Sequence, residues 1–285
     1  MNRLKRRRGL LLTISVITLV VSLFGCNVGT LTRIGATTIR CATIANKHLV
    51  DATRLVVFGE LHGTVESPMF VSNLTCAMLL NGESVVLGLE LPSDMQSLID
   101  DFIDIPEAPP QIAKLQSHPF WSGKTQVGKG STAMWALIES IRKLKQEGYP
   151  VTIHLFDETG ASDDRESKMA DRIRALMLIH PNSKVIILTG NLHSRNSAGL
   201  SWKPSFVPMT FLLKDLRPLT FDLAFSGGKA WGCTSVSACG PRSWKGTRHQ
   251  DPSKPVGIYV DASVSAHDGY FWVKEITPSE PLMAR

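Results

Sequence analysis

The stretch Leu55-Val56-Val57-Phe58-Gly59-Glu60-Leu61-His62-Gly63-Thr64-Val65-Glu66 decides how this chain is read. Its first four residues are apolar without interruption, which marks a strand covered on both faces rather than one with a wet side. The run then breaks at Gly59 into a polar string. A glycine at that point permits a tight turn and close backbone approach. In an open parallel sheet, the carboxyl ends of the strands share one edge, and ligands bind there.

Working outward, the same pattern recurs. Residues 85–91, 151–156 and 184–189 are further strand candidates, separated by helical stretches at 68–80, 94–102, 132–147 and 165–179. Met134, Leu137, Ile138, Ile141 and Leu144 recur at helical spacing, as do Met169, Ile173, Leu176 and Ile179. Strand–helix alternation of this kind predicts an α/β fold, a layered α/β/α domain with a mainly parallel central sheet and its site at the carboxyl ends of the strands. More strands are expected at 206–213, 218–225, 256–260 and 270–276. Residues 104–130 and 226–255, rich in Pro, Gly and Ser, read as long irregular loops of the kind that serve as lids. No internal repeat is evident, so residues 51–285 read as a single domain preceded by a lead-in at 26–50.

The 285 residues carry 31 Lys+Arg against 25 Asp+Glu, a formal charge of +6. Five of the basic residues (Arg3, Lys5, Arg6, Arg7 and Arg8) lie in the first eight positions. Without residues 1–25 the balance is nearly neutral, which argues against a nucleic-acid partner. The basic start and the apolar run 10–24 form the pattern of a secretory signal. It ends in Leu23-Phe24-Gly25-Cys26, which resembles a bacterial lipobox with Cys26 as the lipidated residue; an uncleaved N-terminal anchor is the alternative. Asn27 after the cysteine points to the outer membrane, with the domain facing the periplasm. Four more cysteines follow. An even number in an oxidising compartment suggests two disulfides. Cys41–Cys76 with Cys233–Cys239 is the favoured pairing among three connectivities; a metal site and free thiols are the alternatives.

The four strand ends carry the chemistry. Strand one runs into Glu60, His62 and Glu66, strand two ends at Glu90, strand three at Asp157-Glu158, and strand four at Thr189-Gly190-Asn191-Leu192-His193. The two Gly-x-x-His elements, 59–62 and 190–193, would place two imidazoles over one edge among carboxylates. Such a group can do acid–base chemistry on water. It can equally hold a divalent metal, with His62, His193 and Glu60 as candidate ligands. The loop residues Trp231, Arg242, Trp244, Arg248 and His249 form a basic-aromatic group that could face an anionic or planar ligand such as haem; a solvated loop is the alternative reading.

Gly59-Glu60-Leu61-His62-Gly63-Thr64-Val65-Glu66, Glu90-Leu91-Pro92, Arg165-Glu166-x-x-Met169-Ala170 and Gly190-Asn191-Leu192-His193, in that order, resemble the erythromycin esterase/ChaN/Tiki superfamily. The resemblance covers residues 50–200 approximately. It implies an α/β fold with a strand-end site. ChaN-like members are haem-binding lipoproteins, the esterases hydrolyse a macrolactone, and Tiki proteins are metal-dependent peptidases. The resemblance implies His62 as general base, supported by Glu60 and Glu90, with Arg165 and His193 binding substrate or stabilising the oxyanion. In the haem-binding alternative, His62 and His193 are the axial ligand candidates, at the sheet edge or at an associated homodimer surface. The large helical addition of the esterases is absent, and so is the His-rich continuation usual after the first motif in ChaN-like proteins. The leading expectation is a membrane-anchored hydrolase of an ester or amide bond, acting on a small molecule or peptide.

Overall fold

The computed structural model describes residues 39–106, 109–122, 128–158, 162–235, 238–247 and 251–283. The signal pattern and Cys26 lie outside them. Strand β1 (Leu55–Glu60) is buried at every position, as its unbroken apolar run requires. Helix α1 (Glu66–Leu80) leads to β2 (Val85–Pro92), and α2 (Gln96–Asp104), α3 (Pro109–Gln116), α4 (Pro119–Ser122) and α5 (Thr132–Gln146) lead to β3 (Val151–Asp157). Helix α6 (Arg165–Ile179) returns to β4 (Lys184–Gly190), and the short α7 (Met209–Leu212) precedes β5 (Leu219–Ala224). A hairpin of β6 (Gly227–Cys233) and β7 (Cys239–Lys245) follows, then β8 (Gly257–Val260) and β9 (Gly269–Trp272).

Seven strands form one sheet in the order β3-β2-β4-β1-β5-β9-β8, parallel except for the β8–β9 pair. This is the expected α/β architecture. Alternation along β1 explains the two covered faces. Leu55 and Val57 pack with Met169, Ile173 and Leu176 of α6 and Met209 of α7. On the other face, Phe58 meets Phe70 of α1 at 5.7 Å between ring centroids. Helix α5 packs beside α1, joined at the surface by Ser72 and Ser140, whose hydroxyls lie 2.9 Å apart. Side chains of period two on the strands therefore need helices on both sides.

The segment before β1 is tied to the domain. Ala45 exchanges backbone hydrogen bonds with Val256 and Ile258, and Cys41–Cys76 bridges this segment to α1. A loop of that length contributes about 3–4 kcal/mol by restricting the unfolded chain. The second disulfide is Cys233–Cys239, so both expected pairings are present.

Three expectations are corrected. Residues 206–213 form no strand: Pro208 fixes a helix-compatible start, and Glu166 Oε2 accepts from the Met209 amide at 2.7 Å, so the chain turns into α7. The stretch 104–130 is not structureless, since α3 and α4 both begin on proline, which costs nothing in a first helical turn. The stretch 226–255 contains the β6–β7 hairpin, whose strands are mostly exposed and so lack the apolar signature of a core strand.

Candidate functional site

Adjacent positions in the sheet bring the strand ends together. In the order β3-β2-β4-β1 they deliver Asp157, Glu90, the Gly190–His193 turn and Glu60 with His62. Glu60 pairs in register with Gly190, so the two Gly-x-x-His elements leave the sheet side by side. A Cβ placed on Gly190 would stand 3.0 Å from His62 Nε2 and 3.5 Å from both Glu90 Oε2 and His193 Cδ2. Only glycine leaves room for that convergence.

His62 is held from one side. Its Nδ1 lies 2.8 Å from Glu60 Oε1, and Glu60 is buried. A carboxylate that accepts this hydrogen bond assigns the donor role to Nδ1, and in the neutral imidazole that leaves Nε2 as the acceptor. That nitrogen lies 3.6 Å from Glu90 Oε2. His62 retains 19% side-chain exposure, enough to meet a solute from the cleft.

Beneath the two imidazoles sits a charge network. Glu90 is 3% exposed and accepts from Lys129 Nζ at 2.6 Å, Arg165 Nη2 at 2.8 Å, Thr189 Oγ1 at 2.7 Å and the Gly190 amide at 2.6 Å. Burial alone would raise its pKa. Lys129, His193, His62 and the Gly190 amide reverse that, and Glu90 is held well below the usual carboxylate range. Asp157 accepts from Lys129 Nζ at 2.8 Å and Arg165 Nε at 2.9 Å. Burial pulls the Lys129 pKa down, but Glu90 and Asp157 outweigh it and raise it.

His193 lies between opposing neighbours. Its Nε2 faces Arg165 Nη1 at 3.1 Å, and its Nδ1 lies 2.6 Å from Glu166 Oε1. Arginine can only donate. Burial lowers the pKa of this imidazole, and Glu90 followed by Glu166 overcomes that and raises it against the pull of Arg165. Arg165 was expected to reach substrate. Its hydrogen bonds go to Glu90, Asp157 and His193, and its side chain keeps 21% exposure, so it braces Glu90 and His193 at the edge of the site.

The cleft measures about 440 Å³ and is lined by Glu60, His62, Asn191 and His193 on the sheet side, and by the β6–β7 hairpin opposite. The hairpin is pinned where the Trp231 amide donates to the Gly63 carbonyl at 2.8 Å. Gly63 takes φ +79°, a conformation that L side chains rarely adopt. Glu66 stands apart from the site: its carboxylate accepts from the Thr277 amide and hydroxyl and fastens the C-terminal segment.

Lys129, Glu166 and Asn191 are the residues that sequence reasoning did not assign. Lys129 follows a Pro- and Gly-rich stretch and carries no pattern of its own. Glu166 stood inside a recognised motif, but its double duty as partner of His193 and cap of α7 needs the tertiary structure.

The donor set does not fit a divalent metal at His62, His193 and Glu60. Both nitrogens of His193 face charged neighbours, one of them a guanidinium, and Glu60 is spent on His62 Nδ1. Among the described residues, no group of three or more His, Cys, Asp or Glu is arranged to hold a metal. Axial ligation of haem by His193 meets the same obstacle, because Arg165 blocks its Nε2.

No family model and no curated protein sequence matches the chain. Solved structures do share its architecture. A Bacillus cereus protein aligns over 83% of this chain and 92% of its own, with 12% identity and a TM-score of 0.52. A succinoglycan biosynthesis protein aligns over 82% of this chain and 91% of its own, with 10% identity and a TM-score of 0.52. An erythromycin esterase in its open conformation aligns over 70% of this chain and 78% of its own, with 12% identity and a TM-score of 0.45. The two neighbours with TM-scores of 0.52 share the layered α/β architecture of this chain. Identities this low speak to fold alone.

Two titrations test the electrostatics. Glu90→Gln leaves Lys129 and Arg165 short of a buried counter-charge and is expected to cost about 3–5 kcal/mol in urea unfolding at pH 7. Because the folded pKa of Glu90 is depressed, its contribution is present above the ordinary carboxylate value and lost as pH falls through the folded one. The acid-induced loss of stability should therefore be shallower in the variant; an unchanged acid profile contradicts the account.

Asp222, beside Gly59 in the neighbouring strand, behaves oppositely. Burial pushes its pKa up to about 7, against a hydrogen bond from the Leu223 amide and the pull of Arg195. Here the folded state holds the proton more tightly, so stability falls as pH rises from about 4 to 7. Asp222→Asn is expected to be more stable than the parent above pH 7, by about 2–4 kcal/mol. Thermal unfolding at pH 5 and pH 8 measures it, and equal differences at both pH values refute it.

Proposed function

We propose that this protein is a hydrolase of an ester or amide bond in which His62 activates water. The observation that carries the reading is the Glu60–His62 pair: a buried carboxylate 2.8 Å from Nδ1 leaves Nε2 as the basic nitrogen at the cleft. This is the arrangement that general-base catalysis needs, in which an acid orients the imidazole and balances the charge it acquires. Nε2 removes a proton from water as the oxygen attacks the carbonyl carbon. The carbonyl becomes an oxyanion, and Asn191, which lines the same cleft, is a candidate donor to it. On collapse, the imidazolium returns the proton to the departing alkoxide or amine. One water is consumed, and one acid and one alcohol or amine are released. Glu90, Lys129, Arg165 and Asp157 act as positioning residues, holding the two histidine turns in a fixed relation.

The fold likeness to a group that includes an erythromycin esterase is consistent with a hydrolase. A macrolactone substrate does not follow from it. We also propose that the enzyme is lipid-anchored through Cys26 in the cell envelope, since its two disulfides persist in an oxidising compartment.

Both proposals are open to test. Against nitrophenyl esters and nitroanilides, His62→Ala is expected to abolish turnover, and Glu60→Gln to reduce kcat by roughly 10²–10⁴, each with the circular dichroism spectrum of the parent. Turnover that survives His62→Ala removes His62 as the base. For the anchor, labelled palmitate should enter the protein in cells and be lost in Cys26→Ser; equal labelling of both rejects lipidation at Cys26.

A further inference from the structure

The hydrolase reading leaves one wall of the cleft without a task. Strands β6 and β7 pair Gly228 with Trp244, Ala230 with Arg242 and Gly232 with Gly240. Directly opposed residues share a face, and so do residues two apart along a strand. Trp244 and Arg242 therefore stand together on one face of the hairpin, over a row of residues with little or no side chain. Of this face, Ala230, Gly232, Arg242 and Trp244 line the cleft opposite His62 and His193.

Arg242 is exposed and only partly engaged. Its Nη2 donates to the Ala238 carbonyl at 2.7 Å and to Thr234 Oγ1 at 3.3 Å, both near the hairpin tip. Nε and Nη1 have no partner among the described residues, and Arg242 makes no ion pair there. Trp244 is 46% exposed, an unusual state for a large aromatic at the rim of a cleft. Glu60 is the one carboxylate lining the cleft among the described residues, and it is committed to His62. Nothing on the opposite wall repels an anion.

A guanidinium suits carboxylate or phosphate because its donors form a planar fork, and an indole face suits a flat apolar body. The cleft volume of about 440 Å³ lies within the range of small-molecule sites. The Cys233–Cys239 bridge closes the hairpin across directly paired positions and holds this wall in shape.

We propose that the cleft takes a flat, apolar substrate that carries a carboxylate or phosphate, with Arg242 receiving the anion and Trp244 covering the ring. The proposal rests on the hydrolase reading only for the position of the scissile bond, which lies at His62 while the anion lies at the hairpin. Arg242 and Trp244 are then specificity residues rather than catalytic ones.

Isothermal titration of the folded domain with 2-naphthoate and with the uncharged 2-naphthamide tests the proposal without requiring turnover. The naphthoate is expected to bind at least tenfold more tightly. Arg242→Gln should erase that preference, Arg242→Lys should keep most of it, and Trp244→Ala should weaken both ligands. Retention by the lysine variant separates charge recognition from a structural role of Arg242 at the hairpin tip. Equal affinities in the parent, absence of binding by either ligand, or a preference that survives Arg242→Gln would each overturn the proposal. Absence of ester or amide turnover in the parent, with this preference intact, would instead reject the hydrolase reading and leave the anion site standing.

Discussion

A carboxylate buried to 3% exposure has to be compensated, and Glu90 is compensated from four directions. Lys129 arrives from the loop before α5, Arg165 from the first turn of α6, and Thr189 with Gly190 from the end of β4. Each partner satisfies Glu90 only if its own element ends at the right place. The desolvation cost of one acid thus enforces the meeting of β2, β4, α6 and the Lys129 loop. The imidazoles of His62 and His193 rest on that assembly, with Nε2 atoms 3.6 and 3.5 Å from its oxygens.

The network divides the charged residues into two populations. Glu90, Asp157, Lys129 and Arg165 neutralise one another beside the two imidazoles. Glu60, His62, Asn191 and His193 line the cleft. The distinction matters chemically, because a base must have a lone pair that substrate water can reach. His62 meets the condition through Nε2; His193, enclosed by Arg165 and Glu166, does not. Over this surface the β6–β7 hairpin supplies a wall that belongs to a separate two-stranded sheet, so the chemistry and the shape of the cleft are carried by different parts of the fold.

Much of this arrangement is legible in the sequence, and for a physical reason. Strands covered on both faces are continuous apolar runs, so β1 to β4 stand out, and the polar residues that end them must share an edge. Glu60, His62, Glu90 and His193 follow directly. Elements stabilised by other means are harder to read. The hairpin is mostly exposed and held by a disulfide and cross-strand bonds rather than by an apolar face. Helix α7 forms because Glu166, far away in sequence, caps it. Lys129 is invisible because what makes it necessary is a buried charge contributed by residues 39 and 28 positions away. Arg165 is where the motif puts it, and the structure adds its bonds to Glu90, Asp157 and His193, which no spacing in the sequence discloses.

The central claim is that Glu60 holds His62 as the tautomer protonated at Nδ1, with a bare Nε2 at the cleft. Long-range ¹H–¹⁵N correlation spectra of the neutral imidazole, with His62 assigned by substitution, measure this directly. The account predicts a pyrrole-type shift for Nδ1 and a pyridine-type shift for Nε2 in the parent, and mixed tautomers in Glu60→Gln. A proton resident on Nε2 in the parent would contradict it.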